Sequence, residues 1–236
     1  MRKKNSKLTV LMPVYNGGQF LRESITSVLT QTLSDFELLV IDGGSKDETL
    51  DLLGTIRDSR LRVISKPLNL IDSLNVGLDE AKGEYIARMD ADDVAEPLRF
   101  ARQLSYLKAN PEVVLVGSNA HIIDTHGKKL GNAYMPQASW WVEWCLFFGC
   151  AFIHPSVMFS RHLVVQHGLR YGELPIAYKS FFTLPSPLES EDYLFWVLAS
   201  RHGRVCNLAS RDIRLRLHTS SKSYINDKKL EPTLRK

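Results

Sequence analysis

The chain has 236 residues, of which 44% are hydrophobic and 24% charged, with a formal net charge of +4. That length builds one α/β domain with a large core. The mild charge does not demand nucleic acid and suits anionic partners, either nucleotide diphosphates or an anionic membrane surface. The three cysteines, Cys145, Cys150 and Cys206, have no zinc-ligand spacing and fit a reducing compartment. No apolar run reaches membrane-spanning length, and the basic N-terminus lacks a signal-peptide cleavage site.

The first half alternates strand and helix patterns. Leu8 to Val14 reads as a strand, Phe20 to Gln31 as a helix with Leu21, Ile25, Val28 and Leu29 on one face, and Phe36 to Ile41 as a second strand. Asp47 to Ile56 follows as a helix, Leu61 to Ser65 as a strand, and Ile71 to Ala81 as a helix stopped at Gly83. Glu84 to Met89 is a fourth strand, Pro97 opens another helix, and Val113 to Val116 is a fifth strand. The apolar run Trp140 to Ile153, interrupted by Glu143, reads first as a buried helix and strand, and second as a membrane-facing or acceptor-facing surface. Leu174 to Leu188, with three prolines, reads as a loop, Glu191 to Arg201 as a helix, and Arg204 to Leu208 and Arg211 to Leu217 as late strands. Strands alternating with helices predict an α/β fold with a mainly parallel sheet covered on both faces.

Ligands of open α/β sheets bind beyond the carboxyl ends of the strands. Here the first strand exits into Pro13-Val14-Tyr15-Asn16, the second into Asp42-Gly43-Gly44-Ser45 and the fourth into Asp90-Ala91-Asp92-Asp93. Residues two apart in an extended segment point the same way, so Asp90 and Asp92 are expected to project together. Carboxylates about 5 Å apart repel by about 3 kcal/mol at an effective dielectric of 20. A hard divalent cation, Mg²⁺ or Mn²⁺, relieves that repulsion. The bland alternative is an acidic turn that caps the next helix.

The segments LTVLMPVYN, FELLVIDGGSKDET and GLDEAKGEYIARMDADD, with Pro97 and Arg99 after them, then HPSVMF and SEDYLFW, are similar in kind and order to the family-2 glycosyltransferases. The resemblance covers about residues 7 to 223. It implies a GT-A fold in a single domain over residues 1–236, with a nucleotide-binding half at about 7–117 and a less regular acceptor-binding half at about 118–225. It also implies an inverting transfer of sugar from a nucleotide-diphosphate donor to an acceptor hydroxyl. A UDP-sugar is favoured as donor, with GDP- or dTDP-sugars as alternatives, and Mn²⁺ or Mg²⁺ as cofactor. The acceptor implied is a glycan or a lipid-linked glycan in cell-surface polysaccharide or glycolipid synthesis. The place implied is the cytoplasm, with peripheral contact at the inner face of the membrane.

Carried residue by residue, the resemblance puts Pro13, Tyr15 and Asn16 beside the nucleotide, Asp42 at the nucleoside and Asp90 on the ribose side. Asp92 becomes the metal ligand, and Asp192 of the Glu191-Asp192 pair the catalytic base. His218, in RLRLHTSSKS, is a candidate third metal ligand, with Lys222 a candidate phosphate partner. Arg88 is a candidate diphosphate contact whose side strand alternation does not decide. His154 is either a structural histidine or an acceptor contact. Trp140, Trp141 and Trp144 are read first as core packing and second as sugar-stacking platforms.

Two departures matter. Gly43 stands where relatives carry a second acid able to touch the base. A Gln-x-x-Arg-Trp motif is missing, because Gln166 to Tyr171 has the wrong spacing, which argues for adding one sugar at a time. Competing classes fare worse. A nucleotidylyltransferase needs basic groups in the loop after the first strand, and MPVYNGGQF has none. A dinucleotide-binding oxidoreductase needs GxGxxG there. A non-catalytic binding module does not need Asp90, Asp92 and Asp192 together.

Overall fold

The computed structural model describes residues 7–172 and 191–218. The proline-bearing stretch Leu174 to Leu188, Ser190 and Lys222 fall outside them. The order of elements is β1 Leu8–Val14, α1 Gly18–Leu29, β2 Phe36–Asp42, α2 Thr49–Thr55, β3 Leu61–Ser65, α3 Leu70–Glu80, β4 Tyr85–Arg88 and β5 Val94–Ala95. Then come α4 Arg99–Ala109, β6 Val113–Ile123, β7 Lys129–Ala133, α5 Ser139–Cys145, β8 Met158–Ser160, α6 His162–His167, α7 Glu191–Ala199 and β9 Arg204–Arg216. Among the described residues no helix is long and apolar enough to cross a membrane.

The strands form a single sheet in the order β3-β2-β1-β4-β8-β6-β9-β5, with β7 on β6. Its first part is parallel: β1 pairs with β2 and β4, and β2 with β3. The α/β layering expected from the sequence is present. Beyond β4 the sheet becomes mixed, since β8 runs antiparallel to both β4 and β6 while β6 and β9 run parallel. The two late strands expected at 204–217 form one strand whose register against β6 shifts between Ser118 and Ala120.

Strand pleating divides the core in two. Leu8, Val10 and Met12 of β1 pack on one face with Leu21, Ile25, Phe100 and Leu104 of α1 and α4. Leu11 points to the other face and packs with Leu74 and Leu78 of α3 and Phe195 and Trp196 of α7. Asn69 caps α3 by accepting a hydrogen bond from the Asp72 N–H at 2.9 Å.

One element departs from its predicted setting. The run Trp140 to Ile153 does not begin as a buried helix. Val142 alone is buried in α5, and Trp140, Trp141 and Trp144 are 70%, 45% and 55% exposed. The apolar tail of that run, Ala151 to Ile153, does enter the core.

Candidate active site

The parallel strands end together. Val14 lies in register with Asp42, and Asp42 with Ser65. The chain leaving β1 is stitched to the chain leaving β2. The Asn16 N–H donates to Ser45 Oγ (2.8 Å), the Lys46 N–H donates to Asn16 Oδ1 (2.9 Å), and the Gly17 N–H donates to Thr49 Oγ1 (2.9 Å). Asn16 makes this turn with φ of 51°, the left-handed region that asparagine tolerates better than most residues.

Asp42 is fully buried beneath these loops. Its Oδ1 accepts from the Ser45 N–H and hydroxyl, and its Oδ2 from the Gly44 N–H (3.2 Å) and the Ser65 hydroxyl (2.6 Å). Burial alone raises a carboxyl, but the hydrogen bonds from Ser45, Ser65 and Gly44 outweigh it and hold Asp42 below the usual carboxylate range. Its oxygens thus organise the loop that forms the floor of the site. Above it lies a groove of about 460 Å³, lined by Pro13, Val14, Tyr15 and Gly43 on one side and by Leu68, Asn69, Leu70 and Ser73 on the other. Tyr15 is 60% exposed on its wall. Gly43 has a packing reason for lacking a side chain, because a Cβ there would sit 2.8 Å from the Leu68 carbonyl oxygen.

The acidic segment after β4 lies against the same β1 exit. A Cβ on Gly17 would be 3.7 Å from that of Ala91, and the Ser24 hydroxyl donates to the Asp90 carbonyl at 2.9 Å. Asp90 and Asp92 converge by a turn at Ala91–Asp92, where the sequence suggested an extended segment. Carboxylate oxygens of Asp90, Asp92 and Asp93 all come within 4.8 Å of one another. Asp90 forms an ion pair with Arg88, which is almost wholly buried. That settles the side of β4 from which Arg88 projects. Asp92 Oδ2 lies 2.8 Å from His218 Nε2.

Asp93 is buried and accepts the Arg216 N–H at 2.8 Å through Oδ1, while its Oδ2 has no hydrogen-bond partner among the described residues. Burial, then the charges of Asp90 and Asp92, push Asp93 well above its ordinary value. Burial and Asp90 also raise Asp92, against the pull of His218. Carboxylates crowded in this way, with an unsatisfied buried oxygen behind them, fit a hard divalent cation. Asp90 and Asp92 are both one-third exposed, and His218 lies beside Asp92. Sequence reasoning missed Arg216, which braces this turn: its Nε donates to the Asp92 carbonyl (2.8 Å), its Nη2 pairs with Glu23 (2.6 Å), and its guanidinium lies over Phe20. The only sequence signal was its place in a basic strand.

Asp192 sits in the first turn of α7. Its Oδ1 accepts the Tyr193 N–H at 2.8 Å. Its Oδ2 is 3.9 Å from Cys150 Sγ and 4.0 Å from His154 Nδ1. Trp196, fully buried, anchors the helix and meets the His154 ring edge-on at 5.5 Å. His154 Nε2 is 3.4 Å from the Tyr171 hydroxyl. Cys150 and Tyr171 were not foreseen, since neither belongs to a motif.

The family model for Glycosyl transferase family 2 matches residues 9–158. The chain belongs to glycosyltransferase family 2. This family-2 chain is 33% identical over 242 residues to an uncharacterized glycosyltransferase of Haemophilus influenzae, covering 97% of this chain and 71% of that one. It is 30% identical over 195 residues to the O-antigen biosynthesis glycosyltransferase WbnJ of Escherichia coli, covering 80% and 70%. Solved structures share the fold, which is GT-A. S. aureus TarS 1-349 in complex with UDP-GlcNAc matches with a TM-score of 0.66 at 19% identity, covering 91% of this chain and 60% of that one. The mannosyltransferase PcManGT of Pyrobaculum calidifontis, in complex with GDP-Man and Mn²⁺, matches with a TM-score of 0.65 at 18% identity, covering 95% and 60%. The family-2 chain thus spans about 60% of the length of these two structures.

Proposed function

We propose that this transferase moves one sugar at a time, with inversion, from a nucleotide-diphosphate sugar to a hydroxyl of a glycan or lipid-linked acceptor in cell-surface polysaccharide or glycolipid synthesis. The observation that carries this reading is the meeting of Asp90, Asp92 and His218 beside the groove walled by Tyr15. Similar proteins are named as complexes with UDP-GlcNAc and with GDP-Man and Mn²⁺, which supports a nucleotide-sugar donor. The O-antigen role named for WbnJ supports the polysaccharide assignment. We read residues 1–236 as one domain, with the donor half at about 7–117 and the acceptor half at about 118–225, working at the cytoplasmic face of the membrane.

In this reading Pro13, Tyr15 and Asn16 border the nucleotide, with Tyr15 against the base. Asp42 acts on the nucleoside through the loop it holds. Asp90 faces the ribose side, and Asp92, with Asp90 and His218, holds Mn²⁺ or Mg²⁺. When bound, that cation supplies charge stabilisation for the departing diphosphate. Asp192 takes the proton of the acceptor hydroxyl as its oxygen bonds to the anomeric carbon and the bond from that carbon to the diphosphate breaks. A single displacement from the opposite face inverts the centre. A panel of UDP-, GDP- and dTDP-sugars tests the reading. Metal-dependent turnover of at least one is expected, and turnover of none, or turnover indifferent to metal, contradicts it.

A further inference from the structure

The segment from α5 to Cys150 exposes what a folded chain ordinarily buries. Besides the three tryptophans of α5, Phe147 and Phe148 are 78% and 77% exposed. The rings form two touching groups: Trp140 with Trp141 at 5.4 Å between centroids, and Trp144 with Phe148 at 5.5 Å and with Phe147 at 6.3 Å. Five exposed aromatic rings within nine residues mark an interaction surface.

Its chemistry points to one occupant. An indole joins an apolar body to a polar N–H, and such rings settle where hydrocarbon meets headgroups. Between Tyr134 and Cys150 the only charged side chain is Glu143, which is half-buried and accepts the Ser139 hydroxyl at 2.9 Å. At the approach to α5, Arg211 lies against the exposed Tyr134 ring and donates to its hydroxyl at 2.8 Å. Arg211 beside an aromatic patch whose one charged side chain is half-buried complements an anionic lipid surface.

We infer that Trp140, Trp141, Trp144, Phe147 and Phe148 dock the protein on an anionic phospholipid bilayer, their rings entering the boundary between headgroups and acyl chains. The patch is continuous with the acceptor side of the site. The Leu146 carbonyl accepts the Tyr193 hydroxyl at 2.5 Å, and Cys150 lies against Asp192. Docking therefore brings Asp192 toward the headgroup plane, where an acceptor carried by a lipid presents its hydroxyl. That consequence rests on Asp192 being the base, whereas the docking does not.

Vesicle binding by the full chain tests it. Three of the four tryptophans lie in the patch and the fourth, Trp196, is fully buried, so quenching by lipids with brominated acyl chains reads the patch itself. The wild type should co-sediment with vesicles of phosphatidylcholine mixed with phosphatidylglycerol, and brominated lipids should quench its fluorescence. The triple variant Trp144→Ser, Phe147→Ser, Phe148→Ser should partition at least about tenfold less while keeping its melting temperature and its nucleotide affinity. No vesicle binding by the wild type overturns the proposal, as does equal binding by the variant. A wild-type dimer that ignores vesicles and that the variant splits overturns it in favour of a second copy on this face. If the variant fails to fold, quenching of the wild type decides, and its absence overturns the proposal. Loss of docking with intact sugar transfer to a soluble acceptor separates this inference from the catalytic reading.

Discussion

The imidazole of His218 lies 2.8 Å from the Asp92 carboxylate, although 126 residues separate the two in the chain. The Phe20 ring packs at 5.2 Å from the imidazole and holds it in place. In the proposed site His218 completes the ligand set begun by Asp90 and Asp92. His218→Ala should weaken Mn²⁺ affinity by about tenfold or more, read by electron paramagnetic resonance titration. An unchanged affinity would make His218 only a partner that neutralises Asp92.

Asp42 should act on stability as well as on the donor. Asp42→Asn keeps its volume but turns a donor toward the donors of Gly44, Ser45 and Ser65. A loss of about 2 kcal/mol in urea unfolding is expected. The sign of the pH effect follows from the depressed value of the folded carboxyl. The unfolded chain binds the proton more tightly, so this stabilisation is complete above the unfolded value of about 4 and disappears as pH falls through the lower folded value. The acid-unfolding limb of Asp42→Asn should be correspondingly shallower.

Asn16 offers a test of backbone strain. Both Asn16→Gly and Asn16→Ala lose the acceptor of the Lys46 N–H, but only alanine meets the steric cost of φ at 51°. Asn16→Ala should be less stable than Asn16→Gly by about 1 kcal/mol in thermal or urea melts. Equal stability of the two would show that the loop relaxes.

Gly43 invites a different expectation from the structure than from the sequence. The sequence suggests that restoring an acid there sharpens the choice between UDP and GDP. The close Leu68 carbonyl instead makes Gly43→Asp push the groove wall outward. Both nucleotides should bind more weakly, and the protein should lose about 1–3 kcal/mol. A variant of normal stability that gains selectivity for UDP would favour the sequence argument.

Much of this was legible in residue order because some elements carry their own pattern. Leu8 to Val14 and Phe36 to Ile41 are near-continuous apolar runs, broken only by Thr9 and Glu37, as suits strands buried on both faces, and their polar exits mark the loops of the site. Strands β5 and β8, of two and three residues, hold no periodicity and are fixed by pairing with β9, β4 and β6. The meeting of Asp92 with Arg216 and His218 depends on that long-range pairing, so local pattern could not display it. Trp140, Trp141 and Trp144 misled because large aromatics are usually buried, whereas α5 turns only Val142 inward.

Asp192→Asn should separate the base from the donor site. The variant keeps the shape at the start of α7 but lacks a basic carboxylate next to Cys150 and His154. Transfer should fall by about 10²–10⁴-fold while nucleotide affinity stays near normal. Near-normal transfer would reduce Asp192 to a charge at a helix start.

The central claim is that the acidic turn after β4 grips a nucleotide diphosphate through a divalent cation. Calorimetric titration of UDP and GDP into the wild type and Asp92→Asn, with Mn²⁺ or with EDTA, tests it most directly. At least one nucleotide should bind the wild type in Mn²⁺, and EDTA and Asp92→Asn should each abolish that binding. Equal affinity in the two buffers, or undiminished binding by Asp92→Asn, would contradict it.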